Sequence, residues 1–190
     1  GTQDNASPHS LGNLAIWENV GGGDGGFCAI NPNSPATQYA TSQNLNIYRT
    51  NNSWNTSGTI SPSTGTDLKA LIAPIRLDSN NPNLLYAGTN YLWRRDAGTS
   101  VWEPLLGGQQ LAGTNNTVRY IEVAPGDTNR IYTGSSDGQV WMSINKGVSW
   151  QQINTGTVSL PNRTITSISV NPANKDEILV SVSGTGTGHV

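Results

Sequence analysis

Apolar and polar residues alternate along this chain in short runs, and Gly, Pro and Asn cluster between the runs. The run VRYIEVAP (118–125) alternates up to a Pro turn and reads as a strand. RIYTGSS (130–136), GQVWMSI (138–144) and SWQQI (149–153) follow as three more strands, so the unit has four, labelled A to D. FCAINP (27–32), QYATSQ (38–43), LNIYRT (45–50) and WNTS (54–57) repeat that order. No apolar stretch approaches the length of a membrane-spanning helix.

The units are in register. Tyr39, Tyr86, Tyr132 and Leu179 are spaced 47, 46 and 47, as are Ile30, Leu77, Val123 and Val170, and Cys28, Ile75, Ile121 and Ile168. A second aromatic follows each Tyr (Tyr48, Trp93, Trp141), and then a Trp at 54, 102 and 150. Four strands per unit of about 45 residues is the signature of a β-propeller blade. The expected architecture is all-β, with four-stranded antiparallel blades and about four blades' worth of chain, as part of a larger propeller. The blade parts are 1–20, 21–57, 67–107, 115–155 and 163–190. The first lacks strand A and most of strand B, and the last stops where strand C should begin, so further blades are expected from a longer chain or another subunit. Trp54, Trp102 and Trp150 are each expected to open a strand D and to be substantially buried between blades. The low-complexity stretch 57–66 reads as a flexible loop between strand D and the next strand A.

Composition narrows the function classes. Gly, Asn, Thr and Ser make up roughly 44% of the 190 residues, and only 12% are charged, with a net charge of -2. No basic stripe favours nucleic acid or an anionic membrane surface. The composition suits an exported protein, extracellular or at the cell surface. A single cysteine, Cys28, excludes an internal disulfide and a Cys-based zinc site. Its column-mates are apolar, so it is expected to be a buried small hydrophobe. His9 and His189 offer no triad spacing. Five N-x-S/T sequons, at Asn5, Asn51, Asn55, Asn115 and Asn162, are about the number composition alone would give.

The turn SINKGVSW resembles the Asp-box, S-x-D-x-G-x-x-W, with Ser143, Gly147 and Trp150 in place and Asn145 where Asp is usual. RRDAGTSVW keeps Asp96, Gly98 and Trp102 with one extra residue, and RTNNSW keeps Trp54. With the openings GTQDN and GGGDGGF, the chain resembles secreted Asp-box (BNR-type) propellers of the sortilin and xyloglucanase types. The resemblance implies a structural role for these turns, on the face opposite the usual ligand site. It leaves open glycosidase, receptor and assembly functions.

The ligand face, where the D–A and B–C loops emerge, is expected to carry Asp4, Asp24, Asp67, Asn90, Asn116, Asp137, Arg163 and His189. Asp24 lies in a Gly-rich turn before an innermost strand, where glycines would let a ligand approach the backbone. It could equally cap a tight turn. A glycosidase would need two carboxylates facing each other across about 5–10 Å. Asp24 with Asp67, or Asp4 with Asp24, are the candidate catalytic pairs. No second carboxylate stands at a calcium-ligand spacing from GGGDGG, and no metal or cofactor is expected. A sialidase would ask for an F/Y-R-I-P motif, but APIRL has Arg76 out of order. Arg76 and Glu122 occupy equivalent places on successive innermost strands and suit a structural ion pair. The reading is a non-catalytic binding or scaffold module for a glycan or protein. The alternative is a glycoside hydrolase of the xyloglucanase type.

Overall fold

The computed structural model describes residues 1–105, 108–156 and 160–184. It contains 16 strands in five antiparallel sheets, three of four strands and two of two. Strands β3 (Cys28–Ile30), β4 (Gln38–Ser42), β5 (Asn46–Thr50) and β6 (Gly58–Thr59) form blade 2 in sequential order. Blade 3 is β7 (Ile75–Leu77), β8 (Leu84–Gly88), β9 (Leu92–Asp96) and β10 (Trp102–Pro104). Blade 4 is β11 (Val118–Val123), β12 (Ile131–Ser135), β13 (Val140–Ser143) and β14 (Gln151–Gln152). Half-blades flank them: β1 (Ser7–His9) with β2 (Glu18–Val20), and β15 (Ile165–Val170) with β16 (Ile178–Val182).

Each strand pair is a meander, because the turns between them are too short for anything but an antiparallel return. The core lies between blades. Tyr39, Tyr86 and Tyr132 are at most 3% exposed, and each packs against the innermost strand of the following blade. Leu179, the fourth member of that column, is 69% exposed because no described sheet follows β16. Contacts one repeat apart lock neighbours together. Tyr132 Oη donates to the Lys175 carbonyl at 2.5 Å, Asn80 Nδ2 donates to the Ala124 carbonyl at 2.9 Å, and Arg130 pairs with Asp176.

Three expectations are corrected. Cys28 is exposed, since the half-blade before it supplies only a two-stranded hairpin and leaves the near end of β3 uncovered. The thiol lies 3.4 Å from Ser7 Oγ. The tryptophans do sit at blade junctions, but they are half-buried, and Trp54 does not open a strand. Trp102 Nε1 donates to the Ile60 carbonyl of the preceding blade, and Trp150 packs on the blade 3–4 core. Finally, 57–66 is not all loop. Gly58–Thr59 is strand D of blade 2, and Ser61 Oγ accepts the Ile47 N–H at 2.9 Å, which pins the segment that follows.

The C–D turns explain where Trp54 went. In blade 4, Ser143 Oγ accepts the N–H groups of Asn145 and Gly147 at 3.2 and 2.8 Å, and Asn145 Oδ1 accepts the Ser149 N–H at 2.9 Å. In blade 2, Thr50 Oγ1 accepts from Asn52 and Trp54 at 3.2 and 3.0 Å, and Asn52 Oδ1 accepts from Thr56 at 2.9 Å. Lys146 and Gly147 have φ of 57° and 82°, and Ser53 and Trp54 have 54° and 69°. The two turns share one backbone, in which Trp54 occupies the glycine position and Ser57 the tryptophan position. A Trp at positive φ is strained, and its Nε1–H bond to Gln38 Oε1 at 2.7 Å helps to hold it there. In blade 3 the extra residue gives a different turn, closed by Asp96 Oδ1 accepting the Gly98 N–H at 2.8 Å.

Candidate functional site

The D–A and B–C loops do meet on one face. Asn44 N–H donates to the Leu71 carbonyl at 2.9 Å, and Gly26 N–H donates to Thr41 at 2.8 Å. Polar side chains expected on this face are largely engaged in fastening one loop to the other. Asn90, 7% exposed, accepts the Leu68 N–H at 3.0 Å. Asp137 accepts from Gly113 N–H at 3.0 Å, Gln139 Nε2 at 2.8 Å and Ser135 Oγ at 2.5 Å. Asn116 Oδ1 accepts from Ser136 Oγ at 2.9 Å. Arg163 is exposed, with its side chain beside Gly184. His189 lies outside the described residues.

Asp4 and Asp24 are brought together. Asp24 Oδ1 accepts the Asp4 N–H at 2.7 Å, and Ala6 and Asp24 form an isolated parallel bridge. The glycines around Asp24 serve this docking of the chain's own first residues. A Cβ on Gly25 would overlap the Ala6 carbonyl, and Gly1 lies against the Gly25 backbone. The closely approaching backbone is therefore residues 1–6, where the sequence suggested a ligand.

Asp67 stands apart, at the wall of a cavity of about 560 Å³. Its Oδ2 accepts from Thr89 Oγ1 and from Trp93 Nε1, both at 2.9 Å. These bonds fix the indole and close the D–A loop onto the B–C hairpin of blade 3. Tyr91, Trp93, Pro104 and Leu105 give the cavity apolar walls, and Ser63, Thr64 and Thr66 give it hydroxyls. Tyr91 Oη accepts from Gln110 Nε2 at 3.1 Å. Of the expected site residues that are described, only Asp67 lines this cavity. Trp93 was visible in the second aromatic column, where its spacing spoke for packing. Tyr91 belongs to no column, so the repeat gave no signal for it.

Arg76 Nη2 and Glu122 Oε1 meet at 2.5 Å between innermost strands β7 and β11. Burial raises the Glu122 carboxyl above its ordinary value, and the Arg76 charge and hydrogen bond oppose that shift. The pair ties two blades and touches neither Asp24 nor Asp67 by hydrogen bond. Among the described residues no group of three or more His, Cys, Asp or Glu side chains could hold a metal ion. None of the described helices is long and apolar enough to cross a membrane.

No family model matches the sequence, and no curated protein does. Solved structures do. The GH74 xyloglucanase from Xanthomonas campestris superposes with a TM-score of 0.73 at 12% identity, over 97% of this chain and 33% of that one. The GH74 enzyme of Niastella koreensis gives 0.62 at 19% identity, over 93% and 30%. The WD40 β-propeller domain of Doa1 gives 0.58 at 15%, over 85% and 51%. The fold is a β-propeller. This chain spans about a third of the length of those two GH74 structures, and at such identities the likeness is one of fold. The described residues form three complete blades and two half-blades.

Proposed function

We propose that this propeller is an exported, non-catalytic module that binds a glycan on its loop-rich face. The observation that carries the reading is the cavity at Asp67. Sugar rings present an apolar face and a rim of hydroxyls, and the cavity offers Tyr91 and Trp93 beside the hydroxyls of Ser63, Thr64 and Thr66. The Asp67 carboxylate positions Trp93 through the indole N–H, a holding role. The turns at Ser143 and Thr50 are read as Asp-boxes, and the shared hydrogen-bond pattern supports that. Blades from further chain or another subunit complete the ring.

Affinity electrophoresis in gels containing a neutral polysaccharide such as xyloglucan tests binding, and a reducing-end assay tests hydrolysis. The expected result is retardation without release of reducing ends, with retardation lost in Trp93→Ala. Unretarded migration of the folded protein on neutral, acidic and amino-sugar polysaccharides alike would reject glycan binding. A second reading, hydrolysis, draws on the approach of Asp4 to Asp24. It requires reducing ends that appear with the native chain and vanish in Asp24→Asn.

A further inference from the structure

The junction of blades 2 and 3 holds two arginines without a counter-charge. Register fixes where each points. Arg49 of β5 is opposite Tyr39 on one side and Gly58 on the other, so it shares the face of Tyr39, which packs toward blade 3. Arg95 of β9 is opposite Leu85 and Trp102, both of which pack in the same inter-blade core, so it points back toward blade 2. The two guanidinium groups converge from opposing sheets.

Neither has a partner among the described residues. The three ion pairs there are Arg76–Glu122, Arg94–Glu103 and Arg130–Asp176. Arg95 is 5% exposed, and Arg49 Nε is sealed from solvent with no hydrogen-bond acceptor. Burial, then the Arg49 charge, lowers the Arg95 pKa from its ordinary value, with Tyr39 and Asp96 opposing. Asp96, the neighbouring carboxylate, makes no ion pair with Arg95, and its Oδ1 holds the Gly98 N–H.

The next blade shows how the same position is satisfied. Arg94 is the counterpart of Arg49, opposite the column tyrosine Tyr86, and across from it on strand D stands Glu103, with which it pairs. At Arg49 the strand D residue is Gly58, which has no side chain to answer the charge. Unpaired buried cations carry a large desolvation penalty, which a bound anion with several acceptor oxygens relieves.

We propose that Arg49 and Arg95 form a binding site for a free tetrahedral oxyanion, phosphate or sulfate, between blades 2 and 3. Two guanidinium forks facing each other across a junction suit oxygens that point in several directions, more than the two coplanar oxygens of a carboxylate. Arg49 is half-buried and provides the mouth, while Arg95 provides the closed end. Such an ion cross-links neighbouring blades independently of the Asp67 cavity.

Thermal unfolding at constant ionic strength, with chloride exchanged for phosphate, sulfate or acetate, tests the site. Phosphate or sulfate is expected to raise Tm, by roughly 5–11 °C at a hundredfold excess over Kd, and acetate by much less. Glucose 6-sulfate is expected to act weakly, because Arg95 is buried and a sugar ring would have to enter the junction along with the sulfate. In Arg95→Gln the phosphate and sulfate response is lost. Gly58→Glu gives a second reading on a folded protein, since its Cβ enters open space and its carboxylate reproduces the place of Glu103. That variant is expected to melt higher than the native chain without phosphate and to ignore added phosphate. A native chain with no response, an equal response to acetate or to the sugar sulfate, or a response that persists in Gly58→Glu would overturn the proposal.

Discussion

Tyr86 and Tyr132 are equivalent residues of successive blades, both 0% exposed, yet removing the hydroxyl is expected to act in opposite directions. Tyr132 Oη donates to the Lys175 carbonyl at 2.5 Å across a blade junction. Tyr132→Phe removes that bond and leaves the carbonyl without its donor. A net hydrogen bond contributes about 1 kcal/mol, and a half-buried acceptor left without its donor adds about 1 kcal/mol, the low end of the range for an unsatisfied group. The expected loss is thus about 2 kcal/mol, or roughly 4–8 °C in Tm for a chain of this size. Tyr86 Oη is buried with no partner, so Tyr86→Phe removes an uncompensated polar group and keeps the ring. Burial and the nearby Asp78 carboxylate also raise the pKa of this phenol, as befits a hydroxyl kept neutral among apolar residues. Tyr86→Phe is expected to be neutral or stabilising by about 1 kcal/mol. Urea unfolding followed by circular dichroism measures both. Equal destabilisation by the two variants would refute the assignment of inter-blade hydrogen bonds.

Other substitutions probe other parts of the account. Gly25→Ala drives a methyl into the Ala6 carbonyl and is expected to release residues 1–6, seen as fast amide exchange at Ala6, whose N–H otherwise donates to Gly23 at 3.0 Å. Protection equal to the native chain would contradict the docking. Ser143→Ala removes the acceptor of two turn N–H groups and is expected to destabilise by about 1–3 kcal/mol, as Thr50→Val does in blade 2. Either variant melting with the native chain would show that the hydroxyl does not hold its turn. Burial raises the Glu122 carboxyl above its ordinary value, so the folded state retains its proton more strongly than the unfolded chain. Its contribution is present below the unfolded pKa and is lost as pH rises through the folded one. Glu122→Gln is expected to flatten that part of the stability profile, and an unchanged slope from pH 4 to 7 would reject it.

The blades were legible because packing between successive sheets demands the same apolar residue at the same phase. Tyr39, Tyr86 and Tyr132 announce it from 46 or 47 residues apart. Strand D of blade 2 was not legible, because Gly58 and Thr59 form it through backbone bonds and carry no apolar signal. Trp54 misled for a related reason. A tryptophan was read as the packing residue of the turn, while the backbone placed it where φ is positive and glycine is usual. Cys28 shares a column with buried isoleucines but belongs to the first complete blade, and the two-stranded hairpin before it leaves it uncovered. The cavity depends on residues from separate segments, Ser63 to Asp67, Tyr91 with Trp93, and Pro104, Leu105 and Gly108, that no local pattern connects. Asp67 was found as a carboxylate for chemistry, and its two hydrogen bonds give it the task of orienting Trp93.

The central claim, glycan binding at the Asp67 cavity, is tested most directly by the indole N–H signals of the six tryptophans in a ¹H–¹⁵N spectrum. A neutral oligosaccharide such as cellotetraose is titrated into the labelled chain, with Trp93→Phe assigning its resonance. The account predicts a saturable shift of Trp93, while Trp17 and Trp150, outside the cavity lining, stay in place. Saturable shifts at Trp17 or Trp150 with Trp93 unmoved would contradict it.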